Sequence, residues 1–179
     1  MSPFSVLFVL LLATFSSIGN CDDNKEASEL ALEAYGQLLA PRHLVPRISR
    51  DLSAIRDAYP AVKNIIYSPP WVPGTVLAKL RTGTLNDIRR KYGNFKTKPL
   101  MTDWTILEFS KPYNPEVLAK KLVSKNFAEL AEPNRIIGQS SSIKYEIGSG
   151  VYTFKSGWGD CQAGCINNHY WVFKVHRNA

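Results

Sequence analysis

The stretch Val72–Asn134, VPGTVLAKLRTGTLNDIRRKYGNFKTKPLMTDWTILEFSKPYNPEVLAKKLVSKNFAELAEPN, decides the fold, because its hydrophobic period switches repeatedly between strand and helix values. Val76, Ala78 and Leu80 alternate with Leu77 and Lys79, as the two faces of a strand do. Thr84 then stands as a helix cap, with Asp87 completing an imperfect capping box. Leu85, Ile88 and Tyr92 fall on one helix face, and Gly93 is a C-terminal stop. Residues 95–101 read as a weak strand, Thr102-Asp103 as a turn, and Thr105, Leu107 and Phe109 as the inward side of a third strand. Asn114-Pro115 is a cap followed by a first-turn proline. The helix it opens carries Leu118 and Leu122 inward and Lys120, Lys121 and Lys125 toward solvent. Residues 128–132 read as a last strand, closed by Pro133-Asn134. The expected class is α+β, in the order β-α-β-β-α-β. That is the split, ferredoxin-like pattern, in which two helices cover one face of a four-stranded antiparallel sheet.

Upstream, Ser68-Pro69-Pro70-Trp71-Val72-Pro73-Gly74 reads as a boundary, since a Pro-rich run suits neither a helix nor a central strand. Residues 22–40 carry one apolar stripe of Ala27, Leu30, Ala31, Ala34, Tyr35, Leu38 and Leu39, which predicts a helix ended by Pro41. A second helix is expected from about Asp51, capped by Ser49, with Leu52, Ile55, Tyr59 and Val62 inward and Pro60 limiting or kinking it. The segment 22–67 is expected to pack on the unit that follows it; a loose pro-segment is the competing reading. Downstream, Gln139–Ser142 reads as a polar linker. Ile143, Tyr145 and Ile147 alternate with polar neighbours, Gly148-Ser149-Gly150 is a hairpin turn, and Tyr152 and Phe154 continue the pattern. Trp171, Phe173 and Val175 share one face of a further strand. Residues 138–179 are therefore expected to form a small antiparallel β-unit of about three strands, stapled by its cysteine loop.

The chain has 179 residues, 45% hydrophobic and 21% charged, an ordinary globular composition with room for one domain or two small ones. Phe4–Phe15 is apolar and uncharged, too short to span a bilayer, and followed by Ser16, Ser17 and Gly19. Residues 1–21 accordingly read as a signal peptide, cleaved after Gly19 or after Cys21, although no Lys or Arg precedes the apolar run. The mature protein is expected to be secreted and free of membrane spans. The net charge of +7 is dispersed, with small groups at Arg89-Arg90-Lys91 and Lys120-Lys121. Lacking a long basic run or a nucleic-acid motif, these read as solvated surface rather than a nucleic-acid site. Of the three cysteines, Cys161 and Cys165 are the natural disulfide in an oxidising compartment. A retained Cys21 would leave one thiol free to pair between chains. The sequence contains no N-x-Ser/Thr acceptor for N-glycosylation.

Val72-Pro73-Gly74-Thr75-Val76-Leu77-Ala78-Lys79-Leu80 resembles the opening strand of a subtilisin-type propeptide, as in the fervidolysin-like prodomains. Ala131-Glu132-Pro133-Asn134 resembles the "AEPN" ending of that domain's last strand, and the resemblance covers 72–137. It implies a domain that binds a subtilisin-type serine protease through its sheet, with a C-terminal tail entering the cleft as an added strand. Stand-alone members act as inhibitors or folding aids. Carried over, the protease-contacting tail is Glu132, Pro133, Asn134, Arg135, Ile136, Ile137 and Gly138. This chain departs from the pattern. No subtilase core follows, so it is not expected to be a zymogen, and the tail runs on into the C-terminal β-unit. The stretch Tyr152–Trp171 is similar to a GWGDCxxGCxxxHYW motif at the ends of uncharacterised secreted proteins, many of them bacterial, and brings no activity with it.

Three constellations remain. On a continuous helix, Cys161, Cys165 and His169 would share a face and could hold zinc or copper. Gly157, Gly159 and Gly164 argue for a loop instead, so the disulfide is preferred, with His169 bonded within the motif. A Cys-His nucleophile oriented by Asp160 would need a free thiolate and an oxyanion hole. Trp158, Tyr170 and Trp171 could form an aromatic platform for carbohydrate or protein, but are read first as fillers of a small core. No cofactor is expected. The leading expectation is a secreted, non-enzymatic protein that binds or inhibits a subtilisin-type protease. The alternatives are an extracellular structural protein partnered by a matrix component, and a metal-binding or thiol enzyme centred on Cys161, Cys165 and His169.

Overall fold

The computed structural model describes residues 21–162 and 165–176, with side chains from Asn24 onward. The expected leader therefore lies outside the described residues, as do the side chain of Cys21 and residues 163 and 164 of the cysteine loop. Among the described residues the class is mixed α+β, with four α-helices and two antiparallel sheets. The chain divides into two units. Unit 1 gathers the described residues up to Tyr35, Ala40–Ser68 and those from Ile137 on; unit 2 comprises Gly36–Leu39 and Pro69–Ile136.

Unit 2 runs β1 (Trp71–Leu80), α3 (Leu85–Tyr92), β2 (Phe95–Met101), β3 (Trp104–Phe109), α4 (Pro115–Ser124) and β4 (Ala128–Arg135), α1 and α2 belonging to unit 1. Its sheet order is β2-β3-β1-β4, every neighbouring pair antiparallel. Val76 and Ala78 of β1 and Leu107 of β3 are buried with Ile88 of α3 and Leu118 and Leu122 of α4. The Asn114 cap forms as expected: its side-chain oxygen accepts from the backbone N–H of Glu116 (3.0 Å) and Val117 (3.3 Å). The capping box does not. Thr84 holds the N-cap position, but its hydroxyl lies 2.8 Å from the Arg81 carbonyl and 3.0 Å from that of Phe127, while Asp87 pairs with Arg90.

Two expectations about proline are corrected. Pro73 and Gly74 lie inside β1, which is a central strand. The register with β4 shifts between Trp71 and Val76, and pairing with β3 starts at Thr75, so Pro73 occupies a bulge where no ladder N–H is required. Gly74 takes φ +69°, and a Cβ there would come 2.6 Å from the Lys111 carbonyl oxygen. Pro133-Asn134 does not close the last strand either, because β4 continues to Arg135. β4 is an edge strand, a second setting in which a sheet tolerates proline.

Unit 1 packs α1 (Cys21–Tyr35) and α2 (Leu44–Ala58) on a second sheet of β5 (Ser141–Glu146), β6 (Val151–Trp158) and β7 (Asn167–Lys174), in that order. Ala27, Leu30 and Ala31 of α1 and Ile48, Leu52 and Ile55 of α2 share one core with Ile143, Tyr152, Phe154 and Phe173. Apart from Leu38, which packs on the core of unit 2, and Tyr35 and Leu39, which are exposed, the stripes of segment 22–67 are thus spent on the C-terminal sheet, not on the unit next in sequence. A three-stranded sheet has one apolar face that it cannot cover itself. α1 stops at Tyr35 because Gly36 adopts φ +63°. α2 begins at Leu44 rather than near Asp51, so Ser49 is not a cap. Pro46 falls in the first turn, where its missing N–H has no intrahelical partner to lose.

Candidate functional site

The residues to which the sequence points fall in two places. The first is the β4 edge of unit 2. Glu132 pairs with Leu77, Pro133 with Val76, and Arg135 with Trp71, so Glu132–Arg135 is ladder rather than free tail. Arg135 also reaches Glu116 at 3.5 Å. Past the strand, the Ile136 N–H donates to the Pro70 carbonyl at 3.0 Å. Ile136 and Ile137 are 41% and 83% exposed, and Gly138 follows at φ +86°. The register aligns Lys98, Ile106, Leu77 and Glu132 in one row across the sheet, on the face opposite Val76 and Leu107. Both helices of the unit bury the other face, and Leu77 and Ile106 are only half-buried. Lys98 is held by Glu108 at 2.7 Å, and the Lys79 ammonium stands 5.8 Å from the ring centre of Trp104.

The second place is the end of the β6–β7 pair. The sulfurs of Cys161 and Cys165 lie at disulfide distance. Gly157 is required there, because a Cβ would come 2.7 Å from the Cys165 sulfur and 2.9 Å from the Asn168 amide oxygen. Gly159 takes φ +92° beside Ile166. Asp160 accepts from the Gln162 N–H at 3.2 Å, which makes it a turn former rather than an orienter of His169. His169 sits in strand β7, opposite Ser156, and its ring packs 4.2 Å from that of Trp171. The helical arrangement needed to align Cys161, Cys165 and His169 does not form, and among the described residues no three Cys, His, Asp or Glu side chains gather as a metal site. Two of the three expected core fillers are at the surface: Trp158 is 53% and Tyr170 50% exposed. Only Trp171 packs against the core, and strand alternation puts Tyr170 on the opposite face.

Sequence reasoning missed the buried polar ties of unit 1. Glu26 on α1 accepts from both terminal nitrogens of Arg56 on α2 at 2.7 Å and from the Tyr67 N–H at 2.6 Å. The Tyr67 hydroxyl donates to Glu33. Tyr152 of β6 donates to Asp51 of α2 at 2.8 Å and stacks on Tyr145. Burial raises the Asp51 carboxyl above its ordinary value, against the opposing pull of the Tyr152 hydrogen bond and of Arg47 and Arg50. Burial first, then the Asp51 charge, pushes the Tyr152 hydroxyl far up. These groups are engaged with fixed partners: Glu26 ties α1 to α2 and to the Tyr67 segment, and Asp51 ties α2 to the sheet. One signal was available: Ile48, Asp51, Leu52 and Ile55 follow the spacing i, i+3, i+4, i+7, which places a carboxylate on an inward stripe.

No family model, curated protein or solved structure matches this chain.

Proposed function

We propose that the chain is a secreted, non-enzymatic protein whose 72–137 module is a ferredoxin-like, propeptide-type domain that binds and inhibits a subtilisin-type serine protease. The observation that carries this reading is the exposure of Ile136 and Ile137 directly past an edge strand. Peptides enter protease clefts as added strands, with main-chain hydrogen bonds giving affinity and alternate side chains filling pockets. Glu132, Pro133, Asn134 and Arg135 anchor the segment in the sheet, and Ile136, Ile137 and Gly138 reach the cleft. The half-buried row of Leu77 and Ile106, on the face that the unit's helices leave alone, supplies a second contact with the protease surface. The chain continues past Gly138 into β5, so the protein acts as an intact-chain inhibitor rather than as a cleaved product.

The test is inhibition of a panel of subtilisin-type proteases by the mature chain, followed as progress curves. Competitive inhibition is expected, weakened about tenfold or more by Ile137→Asp, because a buried carboxylate would replace an apolar anchor. Absence of inhibition across the panel, or an Ile137→Asp variant as potent as the parent, refutes the proposal.

A further inference from the structure

The face of the β5–β7 sheet that carries the core does not end where the core ends. Along β6, residues two apart share a face: Tyr152 and Phe154 are buried, Ser156 is half-buried, and Trp158 is exposed. Along β7 the same face passes from buried Phe173 through half-buried Trp171 to exposed His169 and Asn167. The register sets Phe154 opposite Trp171, Ser156 opposite His169 and Trp158 opposite Asn167, without a shift. The His169 ring packs against that of Trp171 at a tilt of 54°, and Trp158 is the diagonal neighbour of His169. The outer ring centres of this row of three are therefore about 12 Å apart. Its backbone is fixed: Gly157 lies against the Cys165 sulfur and Asn168, and Asn168 donates back to the Cys165 carbonyl at 3.4 Å. An exposed tryptophan and an exposed histidine beside a half-buried tryptophan, on a rigid strand end, are the kind of patch that marks a binding surface.

We infer that this end of the sheet binds a neutral polysaccharide, seated along Trp158, His169 and Trp171 with Asn167 and Ser156 meeting its hydroxyls. The charge pattern selects the occupant. None of these five residues is Lys, Arg, Asp or Glu, in a chain of net charge +7. An anionic ligand would be drawn to lysines such as Lys155 and Lys174, which alternation places on the opposite face of the sheet. A protein partner would find the rings interrupted by an amide and a hydroxyl. A sugar chain uses both features, since its C–H faces stack on aromatic rings while its hydroxyls need short donors and acceptors. The length of the row suits an oligosaccharide rather than one ring. The inference is independent of protease binding, because it involves no residue of unit 2.

The test is retention of the full mature chain on cellulose, chitin, mannan, xylan and starch in high salt, with affinity electrophoresis for soluble forms. Retention by at least one of these polymers is expected, weakened about tenfold or more by Trp158→Ala. Tyr170→Ala, on the other face, is expected to bind like the parent. His169→Ala provides a second loss-of-binding variant, and circular dichroism and disulfide content verify folding. No retention on any polymer overturns the inference. So does equal retention of Trp158→Ala and His169→Ala, or binding that high salt abolishes, or capture confined to proteins.

Discussion

Removing the Glu26 carboxylate is the sharpest probe of what holds unit 1 together. Glu26 and Arg56 side chains are 9% and 15% exposed, and the carboxylate takes two guanidinium hydrogen bonds and the Tyr67 amide. In Glu26→Ala, Arg56 keeps only the Ile65 carbonyl, at 2.7 Å, among these partners, and the Tyr67 N–H is left without its acceptor. Breaking a buried pair from one side costs about 3–5 kcal/mol. For a unit of this size the melting temperature should fall by at least about 12 °C. Replacing both partners with apolar residues of similar volume, Glu26→Leu with Arg56→Met, should recover most of the loss, because no charge is then stranded. Urea unfolding measures the free energies, and hydrogen exchange assigns the loss to α1, α2 and the β5–β7 sheet. A single variant costing less than about 1 kcal/mol, or a double variant costing the sum of the singles, would show that the pair is not a coupled, desolvated tie.

Burial raises the Asp51 carboxyl above its ordinary 3.8, so the folded chain holds that proton more tightly than the unfolded chain; the stability it contributes is full at low pH and is lost as pH rises from 3.8 through the folded value. Asp51→Asn keeps an acceptor for Tyr152 and should flatten that slope in urea midpoints measured from acid to neutral pH, an unchanged slope counting against the assignment. Gly157→Ala should cost about 1–3 kcal/mol, since its methyl would overlap the Cys165 sulfur, and faster reduction of the Cys161–Cys165 bond should accompany the loss. Gly74→Ala combines a positive φ with a 2.6 Å approach to a carbonyl oxygen and should cost about 2 kcal/mol or more in unit 2, with part of the lost amide protection appearing in unit 1.

The parts of the fold legible in the sequence are those with local causes. The Asn114 cap, the Gly93 stop, the turn at Asp103 and the alternation of β5 to β7 each depend on residues a few positions apart, and each forms, although β5 begins at Ser141, inside the expected linker Gln139–Ser142, and β7 at Asn167 rather than Tyr170. What failed depends on partners distant in the chain. Pro73 reads as a strand breaker until Tyr113 accepts the Gly74 N–H at 2.7 Å and a bulge absorbs the proline. The α1 and α2 stripes announce an apolar partner but not which one, and the partner begins only past Ile137. For the candidate sites, composition identified the cysteine pair and the aromatic cluster, yet exposure separates a filler from a platform. Trp158 of β6 and Trp171 of β7 share one face of the sheet and differ in what covers them, which no local pattern records.

The order of the chain gives the two units unequal roles in stability. The larger piece of unit 2, Pro69–Ile136, is an insert: Trp71 and Arg135 pair directly, so its two ends lie at sheet spacing once it folds. Unit 1 is made from what flanks it, and its ties bridge the insert, as in the Tyr152–Asp51 bond and the Ser141 hydroxyl bonded to the Ile66 carbonyl at 3.1 Å. With unit 2 unfolded, each tie closes a loop containing the whole insert; with it folded, the loop shrinks to a short connection. The logarithmic dependence of closure entropy on loop length makes that difference about 2 kcal/mol. A change confined to the Gly74 bulge should therefore weaken unit 1 through chain entropy. Loss of the Glu26–Arg56 pair leaves the spacing of Trp71 and Arg135 intact and should leave unit 2 at its own stability, and this asymmetry distinguishes the entropic coupling from a shared core.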